Sequence, residues 1–143
     1  MVTVLVLDDD EKIRNLIVKT VQLAARGKSC RVLTAENGIV GSEILIFEPK
    51  VDLVISDLCM GPGPNGIDLL SDMDLRFHKK STPFVLFSGS IADEDVETVL
   101  VYGATIIRKA NPGAFHQIRT IVGRLFCDET NSTRADSGLR AST

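Results

Sequence analysis

Acidic, hydroxyl and basic side chains follow four separate apolar runs of this sequence. The acids Asp8-Asp9-Asp10 follow the first run, Asp57 follows a later one, and Ser88 and Lys109 follow the last two. If these runs are parallel strands, their carboxyl ends share one edge of the sheet and the polar groups converge there. Neighbouring carboxylates disfavour each other's ionised form unless a cation compensates. The set therefore predicts a site for Mg²⁺ and a phosphoryl group, with a carboxylate as nucleophile, a hydrogen bond from Ser88 and a positive charge from Lys109.

Each of these residues also has a simpler interpretation. Asp10 is predicted to cap the following helix rather than to bind a metal ion. Asp8 and Asp9 could form only a solvated acidic turn, and Ser88 could serve only in a turn and helix cap. Lys109, which follows an arginine, could be an exposed surface residue. Two acids directly after a buried strand nevertheless favour a functional site.

The elements that would position these side chains alternate between apolar runs and helical patterns. Val2–Leu7 has the β-branched and aliphatic composition of a buried strand, and residues 13–21 carry apolar side chains at helical spacing. The alternation recurs, with further strands predicted at 30–34, 51–56, 84–87 and 105–107. Five strand–helix units predict an α/β fold with a parallel sheet, helices on both faces and a crevice beyond the carboxyl ends of the strands.

The buried faces of the helices are predicted from the same spacing. In the first helix, Leu16 belongs to the apolar stripe and is predicted to face the core. In the second, Asn37 is a suitable N-cap, and Val40, Ile44 and Phe47 follow at helical intervals. These three side chains are also predicted to point inward.

Composition limits the class of protein. The chain has 143 residues, a net charge of −3, 44% hydrophobic and 24% charged residues, which is typical of one globular domain. Net acidity without a Lys/Arg cluster in the sequence argues against direct nucleic-acid binding. The apolar runs are too short for a membrane span, and no signal peptide is recognisable. The three widely spaced cysteines predict reduced thiols, and hence a cytoplasmic protein.

The last part of the chain differs in composition from the rest. Residues 128–143 include six Ser/Thr and few apolar side chains. Such a segment buries too little surface to offset its ordering entropy. The sequence therefore predicts one domain at 1–127 and a disordered polar tail at 128–143.

Four sequence segments resemble the receiver domain of two-component response regulators. They are residues 4–14 (VLVLDDDEKIR), 51–60 (VDLVISDLCM), 83–89 (PFVLFSG), and Gly103-Ala104 followed by Lys109. Their order and spacing match the family over residues 1 to about 127. The resemblance implies a flavodoxin-like, doubly wound sheet of order 2-1-3-4-5 and a stand-alone phosphoacceptor module.

The resemblance also implies a role for each matched residue. Asp57 would accept a phosphoryl group from a histidine kinase or histidine phosphotransfer protein. Asp8, Asp9, Asp57 and the backbone carbonyl of Cys59 would hold Mg²⁺. The Ser88 hydroxyl would turn toward the phosphoryl group, and Lys109 would pair with its oxygens. Phosphorylation would then switch a surface that contacts a downstream protein, with a homodimer as one possible form.

The sequence departs from the family pattern at three positions. The loop after Asp57 is one residue longer than usual, which places Gly66 nine positions on. Ala110 follows Lys109 where the family usually has a cis-proline, so this bond is either strained or trans. Ile106 stands where many relatives carry Tyr or Phe, so an aromatic switch cannot be assumed.

Two other functions compete with the phosphoacceptor, which would not be a turnover enzyme. A degenerate receiver that acts as a non-cycling binding scaffold is compatible with Ile106 and Ala110. A small phosphatase of the haloacid dehalogenase type would use Asp8 as nucleophile together with Asp10. That alternative leaves Asp57 without a role.

Overall fold

The computed structural model describes the backbone of residues 1–137 and the side chains of residues 1–127. Within that range, strands alternate with helices along the chain. The strands are β1 (Val2–Leu7), β2 (Cys30–Ala35), β3 (Leu53–Ser56), β4 (Phe84–Ser88) and β5 (Thr105–Arg108). The helices are α1 (Glu11–Ala25), α2 (Gly38–Phe47), α3 (Gly66–Asp72), α4 (Asp93–Val101) and α5 (Ala114–Ser137). The predicted β–α order is confirmed, although several bounds shift by a few residues.

The strands form one parallel sheet in the order β2-β1-β3-β4-β5. Leu7, at the end of β1, lies opposite Ala35 in β2 and Ser56 in β3. Ser56 in turn lies opposite Leu86 in β4. This register brings the carboxyl ends to one edge, and the strand order reverses at β1, where doubly wound folds place a binding crevice. The predicted fold class and the strand order 2-1-3-4-5 are confirmed.

Side chains of β1 alternate between the two faces of the sheet, and both faces are covered. Val4 and Val6 pack into a cluster with residues of α1 and α5. Leu5 and Leu7 pack into the opposite cluster, which includes residues of α2, α3 and α4. Because strand residues alternate faces, a run that is apolar at every position needs cover on both sides. Helices therefore cover both faces of the sheet and leave its carboxyl edge to carry the polar residues.

In α2, Val40 and Ile44 pack against the core as predicted, but the prediction for Phe47 is wrong. Phe47 is 81% exposed, whereas Gly38, Gly41, Ser42 and Leu45 are the buried residues of this helix. A Cβ atom on Gly41 would lie 2.2 Å from Leu7 Cδ2, so the glycine side of the helix is the side that approaches the sheet. This close approach turns Phe47 toward solvent. Leu16 of α1 is likewise 48% exposed rather than buried.

The last helix extends beyond the predicted end of the domain. α5 continues past Cys127, and the backbone is helical as far as Ser137. Residues 138–143 lie outside the described residues, so the disordered tail remains a prediction there. No helix within residues 1–137 combines the length and the hydropathy that a membrane span requires.

Candidate functional site

Asp8 and Asp57 lie side by side at the carboxyl edge of the sheet. The ladder continues one residue past each strand: Asp8 N donates to Ala35 O (3.1 Å) and Asp57 N donates to Leu7 O (2.9 Å). Asp8 is 0% exposed and Asp57 is 8% exposed. Two carboxylates are thus held close together by the sheet, and Asp57 is the more accessible of the two.

Lys109 brings a positive charge to both carboxylates. Its backbone N donates to Ser88 O (2.9 Å), which extends the pairing of β4 and β5 by one residue. Its Nζ lies 3.0 Å from Asp8 Oδ2 and 3.2 Å from Asp57 Oδ2. The same Nζ lies 5.9 Å from the centroid of the Phe87 ring. The ammonium therefore bridges the two acids.

Backbone N–H groups hold the other oxygen of each carboxylate. Leu58 N donates to Asp57 Oδ1 (2.8 Å), and Asp10 N donates to Asp8 Oδ1 (2.9 Å). Each carboxylate is thus oriented by one backbone hydrogen bond and one ion pair. Such double restraint reduces the reorganisation that a reaction at either group would require.

Burial and charge act on the protonation equilibria of this cluster. Burial raises the pKa of the Asp57 carboxyl, and the charge of Asp8 adds to it. The Lys109 charge and hydrogen bond, together with the Leu58 N–H, lower that pKa without cancelling the rise. For Lys109, burial alone would lower the pKa, but its contacts with Asp8 and Asp57 outweigh burial and raise it. Lys109 therefore keeps its charge at neutral pH.

The acidic cluster fits a hard divalent cation. Carboxylate oxygens of Asp8, Asp9 and Asp57 lie within 4.8 Å of one another. The buried Asp8 Oδ2 lies 3.0 Å from Lys109 Nζ, an ion pair that engages part of its acceptor capacity and leaves a lone pair for a cation. Carboxylate oxygens are the donors that Mg²⁺ prefers, with waters completing its octahedron. Cys59 lies in the adjoining loop with an exposed side chain, and the role predicted for its carbonyl stays a prediction.

Ser88 ends β4 at the carboxyl edge of the sheet, as predicted, but its hydroxyl bonds to the backbone of Ser90. The side chain is buried at 4% exposure. Its Oγ donates to Ser90 O (2.9 Å) and accepts from Ser90 N (3.4 Å). The hydroxyl therefore closes a local turn, and contact with a group on Asp57 requires rotation of the side chain.

The positions that depart from the family pattern are accommodated without distortion. The Lys109–Ala110 peptide bond is trans, like the other peptide bonds of the described residues. Ile106 is partly buried and packs against the apolar cluster beneath α4. The predicted N-cap is confirmed, because Asp10 Oδ1 accepts from Lys12 N (2.9 Å) and Ile13 N (3.3 Å).

Two supporting residues received no role in the sequence analysis. Arg14 Nη1 donates to Asp8 O (2.9 Å) and so ties α1 to the end of β1. Gly66 packs beneath the site: its N donates to Leu58 O (2.8 Å), and a Cβ there would lie 2.4 Å from Asp57 O. Two sequence signals could have indicated these roles. Arg14 is a basic residue in the first turns after a strand-end acid, and Gly66 is a glycine at the start of a helix.

The lengthened loop after Asp57 packs against α2. A Cβ atom on Gly38 would lie 1.9 Å from Pro64 O, so the loop crosses directly over the N-terminus of this helix. Asn65 then caps α3 through a reciprocal capping box with Asp68. The extra residue is absorbed in the loop, and the ladder contact of Asp57 with β1 is kept.

Comparison with known proteins agrees with this arrangement. Residues 4–118 match the response regulator receiver domain family. The two-component response regulator ARR17 of Arabidopsis thaliana is 32% identical over 112 residues, which cover 71% of this chain and 70% of that protein. The chemotaxis protein CheY4 of Vibrio cholerae is 26% identical with a TM-score of 0.68, covering 85% and 98% of the two chains.

A more distant structure shows the fold alone. The signal receiver domain of a DNA-binding response regulator from Colwellia psychrerythraea is 17% identical, with a TM-score of 0.73 over 88% of this chain and 98% of that one. With the sheet order and the strand-end acids already described, the family match over most of the chain leads to one conclusion. The chain belongs to the response regulator receiver domain family of two-component signalling.

Proposed function

We propose that Asp57 accepts a phosphoryl group from the phosphohistidine of a histidine kinase or histidine phosphotransfer protein. The observation that carries this proposal is the pairing of Lys109 with Asp8 and Asp57 at 3.0 and 3.2 Å. An ammonium next to a strand-end carboxylate neutralises the charge that a phosphoryl group brings. The greater exposure of Asp57 compared with Asp8 supports Asp57 as the acceptor.

The transfer forms one bond and breaks another. A carboxylate oxygen of Asp57 bonds to phosphorus as the bond from phosphorus to the histidine nitrogen breaks, and that nitrogen leaves with the electron pair. The Leu58 N–H holds Asp57 Oδ1 and so orients the carboxylate for attack. Asp8, Asp9, Asp57 and the Cys59 carbonyl would hold Mg²⁺, whose charge neutralises phosphoryl oxygens when it is bound.

The output is a change of surface rather than a second reaction, so we assign no turnover enzyme activity. On transfer, the Ser88 hydroxyl leaves Ser90 and turns to the phosphoryl group, while Lys109 pairs with its oxygens. Because Ile106 is a partly buried aliphatic residue and not an aromatic switch, the signal passes through repacking of α4, β5 and α5. A downstream protein then reads this face, and a phosphorylated homodimer is one form it can take. The proposed location is the cytoplasm.

The two competing functions receive less support. A phosphatase with Asp8 as nucleophile would need Asp8 accessible and Asp10 free, yet Asp8 is 0% exposed and Asp10 caps α1. A non-cycling scaffold would not require two buried carboxylates held against one lysine. The scaffold remains the second candidate because Ala110 and Ile106 depart from the family pattern.

Incubation with acetyl phosphate and Mg²⁺, followed by intact-mass analysis, tests the acceptor. We expect one added phosphoryl group in the native chain and none in Asp57→Asn. Asp52→Asn is the matched control, because it removes a carboxylate outside the site and should leave labelling unchanged. Absence of labelling in the native chain would favour the scaffold. Release of inorganic phosphate that persists in Asp57→Asn but stops in Asp8→Asn would favour the phosphatase.

Calorimetric titration with Mg²⁺ tests the metal ligands separately. We expect Asp9→Ala to weaken Mg²⁺ binding about tenfold or more, because a direct carboxylate ligand is lost. Asp93→Ala, which removes an exposed acid of α4, serves as the control and should bind like the native chain. Equal affinity of Asp9→Ala and native protein would contradict the assignment of Asp9.

A further inference from the structure

A groove of about 440 Å³ between the C-terminal end of α1 and α5 collects basic side chains. Arg26 and Lys28 line it from the α1 side, and His116, Arg119 and Arg124 line it from α5. None of its described lining residues is acidic. This groove, named here the α1–α5 groove, is therefore strongly positive on a chain whose net charge is −3.

The α5 side of the groove is a continuous helix face. His116, Thr120, Gly123 and Cys127 recur at intervals of three or four residues, which places them in one row. Small residues of both helices, Ala24 and Ala25 of α1 and Gly123 of α5, also line the groove. The groove can therefore receive side chains of another polypeptide close to its cations.

The cations of the groove have no acidic partners among residues 1–127. Arg26 and Lys28 are partly explained by α1 itself, since cations stabilise the C-terminal end of a helix. Arg119 and Arg124 lie in the interior of α5 and gain nothing from that effect. Four like charges in one groove repel each other, and an anionic ligand would relieve this repulsion.

We propose that the α1–α5 groove binds an acidic segment, rich in Asp and Glu, of a partner protein. Charge complementarity is the main argument. A polypeptide is favoured over nucleic acid because the groove is small, at about 440 Å³, and because its aromatic residue, Phe126, is only 4% exposed and offers no stacking surface.

The groove is separate from the phosphoacceptor site. α1 begins next to Asp10 at the carboxyl edge of the sheet and ends at Ala25 after 15 residues, with Arg26 as its C-cap. At 1.5 Å per residue, the helix is about 22 Å long. A ligand in the groove therefore needs no contact with Asp57.

Fluorescence anisotropy with a labelled hexaglutamate peptide at low salt tests the proposal. We expect the native chain to bind the peptide, and binding to weaken as NaCl is added because exposed ion pairs are screened. Arg119→Ala/Arg124→Ala should lower the affinity about tenfold, as expected for the loss of two exposed ion pairs. Lys12→Ala/Lys19→Ala is the matched control, with the same net charge and two exposed cations removed outside the groove. It should bind like the native chain.

Three results would overturn the proposal. The first is that the native chain does not bind the peptide at low salt. The second is that the groove variant and the control lose the same amount of peptide affinity. The third is that duplex DNA or phosphatidylserine vesicles bind more tightly than the peptide, in a way that depends on the groove residues.

A bromoacetyl group on the peptide gives an independent readout, because its bromide is displaced by a thiol. Cys127 lines the groove and Cys59 is exposed elsewhere, so faster alkylation of Cys127 is expected. Faster alkylation of Cys59 would place the peptide outside the groove.

Discussion

Replacing Lys109 by methionine tests whether one ammonium holds the acidic cluster together. Methionine keeps most of the side-chain length and apolar contact but removes the charge. In Lys109→Met, Asp8 at 0% exposure and Asp57 at 8% exposure are left without their cation. We expect the free energy of unfolding to fall, because two close carboxylates must then be buried without compensation.

The size of this loss can be worked from the contacts. At 3.0 and 3.2 Å and an effective dielectric constant of about 20, each ion pair contributes about 5 kcal/mol of gross attraction. Desolvation of the charges offsets most of this. Breaking a buried pair costs about 3–5 kcal/mol, and the lower end applies because the Lys109 side chain is 23% exposed. A loss of about 3 kcal/mol corresponds to a fall in Tm of about 12 °C for a domain of this size.

Circular dichroism during urea and thermal unfolding, in EDTA, measures this loss; the sequence has no tryptophan to report by fluorescence. Lys12→Met is the matched control, since Lys12 is exposed, and it should change stability by less than about 0.5 kcal/mol. In an Asp8→Asn background, Lys109→Met should cost less, because only one carboxylate then needs the cation. If Lys109→Met loses no more stability than Lys12→Met, the ion pairs do not stabilise the cluster and the reasoning is refuted.

Three further predictions concern the surroundings of the site. Gly66→Ala should lower the free energy of unfolding in urea by about 1–3 kcal/mol and reduce phosphoryl acceptance, because the new Cβ would lie 2.4 Å from Asp57 O. Unchanged stability and phosphoryl acceptance would show that the loop moves to accommodate the methyl group. Asp10→Ala should lower stability by about 1 kcal/mol through loss of the α1 cap, and a neutral result in the same assay would contradict this role. Removal of residues 128–143 should leave the Tm nearly unchanged, whereas a large fall would mean that this segment packs on the domain.

The order of strands and helices follows from local patterns. β1 is apolar at five of its six positions, and such a run is typical of a strand covered on both faces. The polar spacing of α1 and its cap at Asp10 mark a helix start directly after the first strand-end acids. Repetition of this unit leaves few topologies other than a parallel doubly wound sheet.

The exposure of Phe47 in α2 could not be predicted in the same way. Apolar side chains surround this helix, so its sequence favours no single face. The close approach of Gly41 to Leu7 determines which side is buried, and that contact joins residues more than thirty positions apart. Phe47 is exposed for this reason.

In the candidate site, too, some features follow from local sequence and others depend on tertiary packing. The sequence by itself determined that Asp8, Asp57 and Lys109 follow strands and that Ser88 stands at the end of one, because strand composition and turn position are local properties. Only the tertiary structure decided that Lys109 bridges both acids, that Asp8 is the more deeply buried one, and that Ser88 bonds to the Ser90 backbone. These contacts depend on strand register and on side-chain rotamers, which are set by the packing of segments far apart in the chain.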